Sequence, residues 1–235
     1  MNNYADSFEG SRRIRPRLWQ ADYVFLSGLA ENVRRFATSY ATEALTVVDF
    51  GCGAKPYRPF FSINCRYVGI DMAGNPHADI QLTLGEKVPL PAGTADLLLS
   101  TQVVYLVPDF DSYLEECRRL LKPTGRMLLT TLGTWTYHPA SGGDYYRFTQ
   151  DGVRYILKKH GFALETLEPV VGTLGTGLHL RQLVFNSWFR RAHLDLVAAA
   201  FNVICNLRIC LEDKISPHGT RMAAPVNFCA VARPV

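Results

Sequence analysis

Val47-Val48-Asp49-Phe50-Gly51-Cys52-Gly53-Ala54 reads as the end of a strand running into a glycine turn. Two β-branched residues open the strand, an acid lies at its end, and two glycines let backbone approach a ligand closely. Open α/β sheets use a strand, a tight turn and a helix start in this way, with the ligand beyond the carboxyl ends of the strands. A dinucleotide fingerprint needs a third glycine for close packing under a pyrophosphate. Pro56 stands at that place, preceded by Lys55. Asp49, two residues before Gly51, would repel a phosphate and suit a ligand carrying an ammonium group. A G-x-G turn with no ligand at all is the plain alternative.

Working outward, Tyr67-Val68-Gly69-Ile70-Asp71 reads as the second strand. Asp71, followed by Met72, lies roughly twenty residues beyond the glycine turn, the spacing at which an acid reaches ribose hydroxyls. A helix N-cap is the competing role for Asp71. S-adenosylmethionine fits both acids: it has an adenosine, a sulfonium and an α-amino group, and no phosphate. The D-x-G-x-G pattern closing a strand resembles the first motif of the Rossmann-like methyltransferases.

His77–Gln81 reads as a short third strand. Thr94–Ser100 is a continuous apolar run of the kind buried on both faces in a parallel sheet, and it ends in Thr101-Gln102 at the ligand edge. Phe110–Leu121 is an amphipathic helix, stopped by Lys122-Pro123-Thr124-Gly125, and Arg126–Thr131 is the next buried strand. The run DLLLSTQVVYLVPDFDSYLEECRRLLKPTGRMLLTT looks like the middle of the broad small-molecule methyltransferase family of type 11, within the class I S-adenosylmethionine-dependent enzymes. YHPASGGDYYRFTQDGVRYILKKHGF resembles a branch associated with surface-polysaccharide and lipopolysaccharide biosynthesis. There are departures: Thr124 replaces a usual glycine, and Val104-Tyr105-Leu106 replaces a Leu-Glu-His triplet. Asp79 and Thr83 compete for an adenine-contacting position.

The resemblance implies a seven-stranded α/β sheet, six strands parallel and the last antiparallel, with helices on both faces. It implies S-adenosyl-L-methionine as cofactor, with Asp49, Gly51, Cys52 and Gly53 around its methionine part and Asp71 and Met72 at the ribose. Asp79, Thr101 and Gln102 would lie nearby, and no metal is expected. It also implies a sugar or lipid-linked glycan as acceptor and O-methylation as the chemistry. A quinone, lipid or natural product is the alternative acceptor. A non-catalytic cofactor-binding scaffold and a nicotinamide dehydrogenase are the other readings.

Methyl transfer from a sulfonium is an in-line displacement governed mostly by positioning, and a hydroxyl acceptor gains from a general base. The loop Leu132–Arg147 is too long for a plain connector and carries Trp135, Tyr137, His138, Asp144, Tyr145 and Tyr146. His138 is the leading base, since an imidazole ordinarily titrates near neutral pH, and Asp144 is either a second base or the group that orients the histidine. Ordering of the loop by hydrogen bonds is an equal alternative for both. Thr149 caps the following helix, which Gly161 ends, and Phe162–Glu168 is the sixth strand.

At 235 residues the chain reads as one domain: an N-terminal helical extension (1–43), a cofactor-binding core (44–169), a helical insertion (170–222) and a last strand (223–235). The net charge of +4 does not call for nucleic acid. Six cysteines without C-x-x-C spacing suggest neither zinc nor a redox pair, and they fit a reduced cytoplasm. Met1–Gly10 is polar and predicts no secretory signal. Arg12, Arg13, Arg15 and Arg17 read as a solvated face ahead of a helix ending near Tyr40. Leu194–Leu211 is apolar nearly all round, with Asp195, Asn202 and Asn206 on one narrow stripe. Core packing, a homodimer contact and peripheral membrane attachment beside Arg190, Arg191 and Trp188 are the three places for it.

Overall fold

The computed structural model describes residues 11–40, 44–83, 85–138 and 143–235. Seven strands form one sheet: β1 (Thr46–Phe50), β2 (Arg66–Met72), β3 (Ile80–Leu82), β4 (Ala95–Thr101), β5 (Leu121–Leu132), β6 (Phe162–Val170) and β7 (Asn227–Pro234). Their order is β3-β2-β1-β4-β5-β7-β6. The first five pair in parallel, while β7 runs antiparallel to both β5 and β6. The expected fold, six parallel strands and one antiparallel, is the fold observed. Val47, Val48, Leu97, Leu98, Leu99, Met127, Leu128 and Leu129 sit in the middle of the sheet and are buried. Their apolar runs therefore do not alternate, as strands covered on both faces require.

The covering helices are α1 (Tyr23–Tyr40), α2 (Phe110–Leu120), α3 (Gln150–Lys159), α4 (Thr173–Arg191), α5 (Asp195–Ile215) and α6 (His218–Ala223). Helix α1 buries Leu26, Leu29, Val33 and Phe36 at helical spacing. Asp109 caps α2 through Ser112 N–H, and Thr149 caps α3 through Gly152 N–H.

Three expectations shift. The short helix expected over Lys55–Phe61 is a single 3₁₀ segment, Arg58–Phe60, and the rest of residues 51–65 make turns. Pro56 and Pro59 remove two amide donors there, and only fifteen residues separate β1 from β2. The N-terminal helix begins at Tyr23, and residues 15–22 run ahead of it as an irregular strap. Finally, α5 turns its amides inward and leaves apolar residues outside. Asn202 and Asn206 are fully buried, whereas Leu196, Ile204, Leu207, Leu211 and Ile215 are exposed along one side. Asp195 departs from the buried stripe and is exposed, beside Arg190. Among the described residues, no helix is long and apolar enough to cross a membrane.

Candidate functional site

A cavity of about 870 Å³ opens at the carboxyl ends of β1, β2 and β4. That is within the ~300–1,000 Å³ range of small-molecule and cofactor sites. The glycine turn forms its floor. Gly51 has φ +84, and a Cβ there would lie 2.2 Å from a methyl of Val103, so glycine is required both for conformation and for space. Gly51 N–H and Cys52 N–H both donate to the Ile70 carbonyl, at 2.8 and 3.0 Å. Gly53 N–H donates to Asp71 Oδ2 at 2.7 Å. The turn therefore spends these three donors on its own chain and does not offer them to a pyrophosphate. With no helix N-terminus behind it, the site lacks the two devices by which dinucleotide folds hold phosphate.

Asp71 lines the cavity from the end of β2. Its Oδ1 accepts Met72 N–H at 2.7 Å, and its Oδ2 accepts from Gly53 and from Asn75 Nδ2 at 2.8 Å. A carboxylate has about four lone-pair sites, so Oδ1 keeps capacity for a hydroxyl donor. Asn75 also donates to the Gly53 carbonyl at 2.9 Å, bracing the acid against the glycine turn. Nothing in the sequence marks this asparagine's part beyond its nearness to Asp71. Gly51, Cys52, Gly53, Asp71, Met72, Thr101 and Gln102 all line the cavity, joined by Leu82 and Thr83 on the far side.

Asp49 lies elsewhere. It is fully buried beneath the turn, with Oδ2 accepting from the Tyr67 hydroxyl at 2.6 Å and Oδ1 without a partner. Burial pushes its carboxyl up to about 7, against the Tyr67 bond, with Asp71 adding to the rise. It acts on the cavity as a buried charge that can be present or absent near neutral pH. Asp79 is likewise outside the cavity lining. It accepts from Lys55 Nζ at 2.6 Å and from Gly69 N–H at 2.7 Å. Burial works to raise its carboxyl, but these bonds hold it below the usual range. Of the two residues competing for the adenine side, Thr83 is the one at the cavity.

Gln102, at the end of β4, has φ +63, a costly conformation for a side chain of this size. Its amide is fixed by bonds to Thr130 Oγ1 (3.0 Å) and Asn227 Oδ1 (2.6 Å), which tie β4, β5 and β7 together under the cavity. His138 reaches the cavity from the loop after β5, together with Tyr145. Asp144 does not reach it. Its carboxylate is paired with Arg147 and accepts His138 N–H at 2.8 Å. The Arg147 bond holds Asp144 below its ordinary value. It thus orders the backbone that presents His138. Trp135, three residues earlier, anchors the loop between Phe25 of α1 and His179 of α4, with ring centroids 5.2 Å from each.

Arg13 also lines the cavity, although the arginine cluster reads from the sequence as a solvated face. Its guanidinium lies near enough to the buried Asp49, Tyr57 and Tyr105 to influence the charge on all three. Among the described residues there is no group of side chains that could hold a metal ion.

Residues 48–129 match the family described as "Methyltransferase domain". The chain is 32% identical over 104 residues to a ubiquinone biosynthesis O-methyltransferase of Rhodopseudomonas palustris (strain TIE-1), covering 38% of this chain and 41% of that protein. It is 30% identical over 125 residues to one from Cereibacter sphaeroides (strain ATCC 17029 / ATH 2.4.9), covering 47% and 51%. The chain thus spans about half or less of these curated relatives. Among solved structures, it resembles the Burkholderia thailandensis 1,6-didemethyltoxoflavin-N1-methyltransferase with bound 1,6-didemethyltoxoflavin and S-adenosylhomocysteine. There the TM-score is 0.55 at 13% identity, over 100% of this chain and 83% of that one. An S-adenosylmethionine-dependent methyltransferase from Mesorhizobium loti gives 0.54 at 16%, over 89% and 99%. Another neighbour is the [4+2]-cyclase SpnF, at 0.53 and 16%, over 87% and 80%. At these identities the likeness shows the fold, and the fold is the Rossmann-like methyltransferase fold.

Proposed function

We propose that the chain is an S-adenosylmethionine-dependent methyltransferase acting on the hydroxyl of a small molecule. The observation that carries this reading is the pairing of Asp71, braced by Gly53 and Asn75, with a glycine turn whose own N–H groups are already bonded. Such a site holds a ribose and has no cradle for a pyrophosphate. Arg13 would face the carboxylate of the methionine part, and the ionised Asp49 would favour its cationic end. The bound cofactor supplies the activated methyl group. The chain's own part is to hold an acceptor oxygen in line and to take its proton. His138 is the residue for the second task, placed by Asp144 and Arg147.

For the acceptor, the relatives support a phenolic or quinol hydroxyl over a sugar. Tyr105 and Tyr145 at the cavity give an aromatic ring surfaces to pack on. The exposed apolar side of α5, on a hairpin that also carries Arg181, Arg191 and Lys214, suits a lipid interface where a lipid-soluble phenol would be found. The test is methyl transfer from labelled S-adenosylmethionine to a catechol panel and a sugar panel. The reading expects transfer to a catechol hydroxyl that His138→Ala slows by about 10²-fold or more. Transfer to sugars alone would overturn the acceptor class, and unchanged turnover in His138→Ala would overturn the base.

A further inference from the structure

In the segment that carries Arg13 to the cavity, Ile14 packs partly buried against the core, and no residue of the strap 15–22 joins it there. No residue from 11 through 24 is buried, and Trp19 is half exposed. Residues 11–14 make a single helical turn, and 15–22 lack regular structure. What holds this strap is polar. Asn206 Nδ2 donates to the carbonyls of Leu18 and Gln20, at 2.7 and 2.8 Å. Asn202 Nδ2 donates to the Trp19 carbonyl at 3.1 Å. Three successive strap carbonyls are thereby bonded by two fully buried amides of α5. Gln182 of α4, also fully buried, donates to Asn206 Oδ1 at 3.1 Å and Asn202 Oδ1 at 3.3 Å. That fixes which way both amides point. At the strap's ends, Arg12 pairs with Asp22.

A buried amide is costly unless its donors find partners, so a helix that places Asn202 and Asn206 inward needs the strap as much as the strap needs it. The asparagine stripe, unusual on so apolar a helix, is explained by this contact. Buried polar sets of this kind fix a unique arrangement more than they add stability.

We propose that Gln182, Asn202 and Asn206 are a latch whose role is to position Arg13, through the strap, against the methionine end of the cofactor cavity. The proposal rests on the cofactor reading above. The three amides are positioning residues: Asn202 and Asn206 bond the strap, Gln182 orients both, and Arg13 is the residue that would meet the ligand. Their loss should therefore weaken recognition of the amino-acid part of the cofactor and spare the adenosine part.

Two ligands separate these parts. S-adenosylhomocysteine carries the amino acid, whereas 5′-methylthioadenosine shares the adenosine and sulfur and lacks it. Calorimetric titration of Asn206→Leu should show about tenfold weaker binding of the first and about the same binding of the second. In an Arg13→Ala background, Asn206→Leu should cause no further loss, because both changes remove one interaction. Trypsin should also cut after Arg17 sooner in the latch variant. Equal weakening of both ligands, losses that add with Arg13→Ala, or unchanged S-adenosylhomocysteine binding in a folded variant would each overturn the latch. If Asn206→Leu fails to fold, Asn202→Ser removes one of the three strap bonds, and the same ligand difference is expected on a smaller scale. If the wild-type chain binds neither ligand, the cofactor reading falls and the latch's role falls with it.

Discussion

Asp49 links the site to pH in a way that can be measured without knowing the acceptor. Its carboxyl, wholly buried, rises from an ordinary 3.8 to about 7, chiefly through burial. A raised folded value means that the folded chain keeps a proton the unfolded chain has released. Stability from this group is therefore complete below pH ~4 and is lost as pH climbs to about 7, after which it is flat. At ~1.36 kcal/mol for each pH unit between the two values, the loss comes to about 4 kcal/mol at most. Urea unfolding of wild type and Asp49→Asn at pH 5, 6, 7 and 8 isolates it, because the amide cannot titrate. The wild type should lose stability relative to the variant across that range by a few kcal/mol. Parallel curves would refute the reasoning. The same carboxyl should ionise when a cationic ligand binds at the turn above it. Binding of S-adenosylmethionine at pH 6.5 should then release a fraction of a proton, read from heats in buffers of different ionisation enthalpy, and Asp49→Asn should release none.

Two further predictions follow from the geometry. Gly51→Ala should cost about 2–4 kcal/mol, since its Cβ would meet Val103 at 2.2 Å in a left-handed conformation. Adding Val103→Ala should restore the packing part and leave about 1 kcal/mol of backbone strain, both read by urea unfolding. Asp144→Asn weakens the pairing with Arg147 and with His138 N–H, so it should lower acceptor turnover about tenfold while cofactor affinity, measured by calorimetry, stays unchanged.

The sheet and the place of Asp71 at the cavity edge were legible because each depends on local pattern. Val47–Val48, Leu97–Leu99 and Met127–Leu129 are apolar runs that only a doubly covered strand explains, and Asp71 follows from strand length plus turn spacing. Thr149 and Asp109 cap helices by rules that operate over three residues. What escaped depends on contacts between distant parts of the chain. Arg13 lies thirty-eight residues before Gly51, in a cluster that looks solvated until the strap folds over the cavity. Asn202 meets Trp19 across 183 residues, so its stripe read as the polar edge of a greasy helix when it was the buried edge. Asp79 lies outside the cavity lining, bonded to Lys55 and to Gly69 N–H, contacts that no spacing rule contains. The missing helix after the turn was written in Pro56 and Pro59, which outweighed the strand–turn–helix habit of such folds.

The central claim is that this cavity holds S-adenosylmethionine through Asp71. Calorimetric titration of the wild-type chain with S-adenosylhomocysteine, and of Asp71→Asn beside it, tests it most directly. The account predicts one site per chain, weakened about 10- to 150-fold by the substitution, the worth of one charge-assisted bond to a ribose hydroxyl at ~1.5–3 kcal/mol. No binding by the wild type, or equal binding by Asp71→Asn, would contradict it.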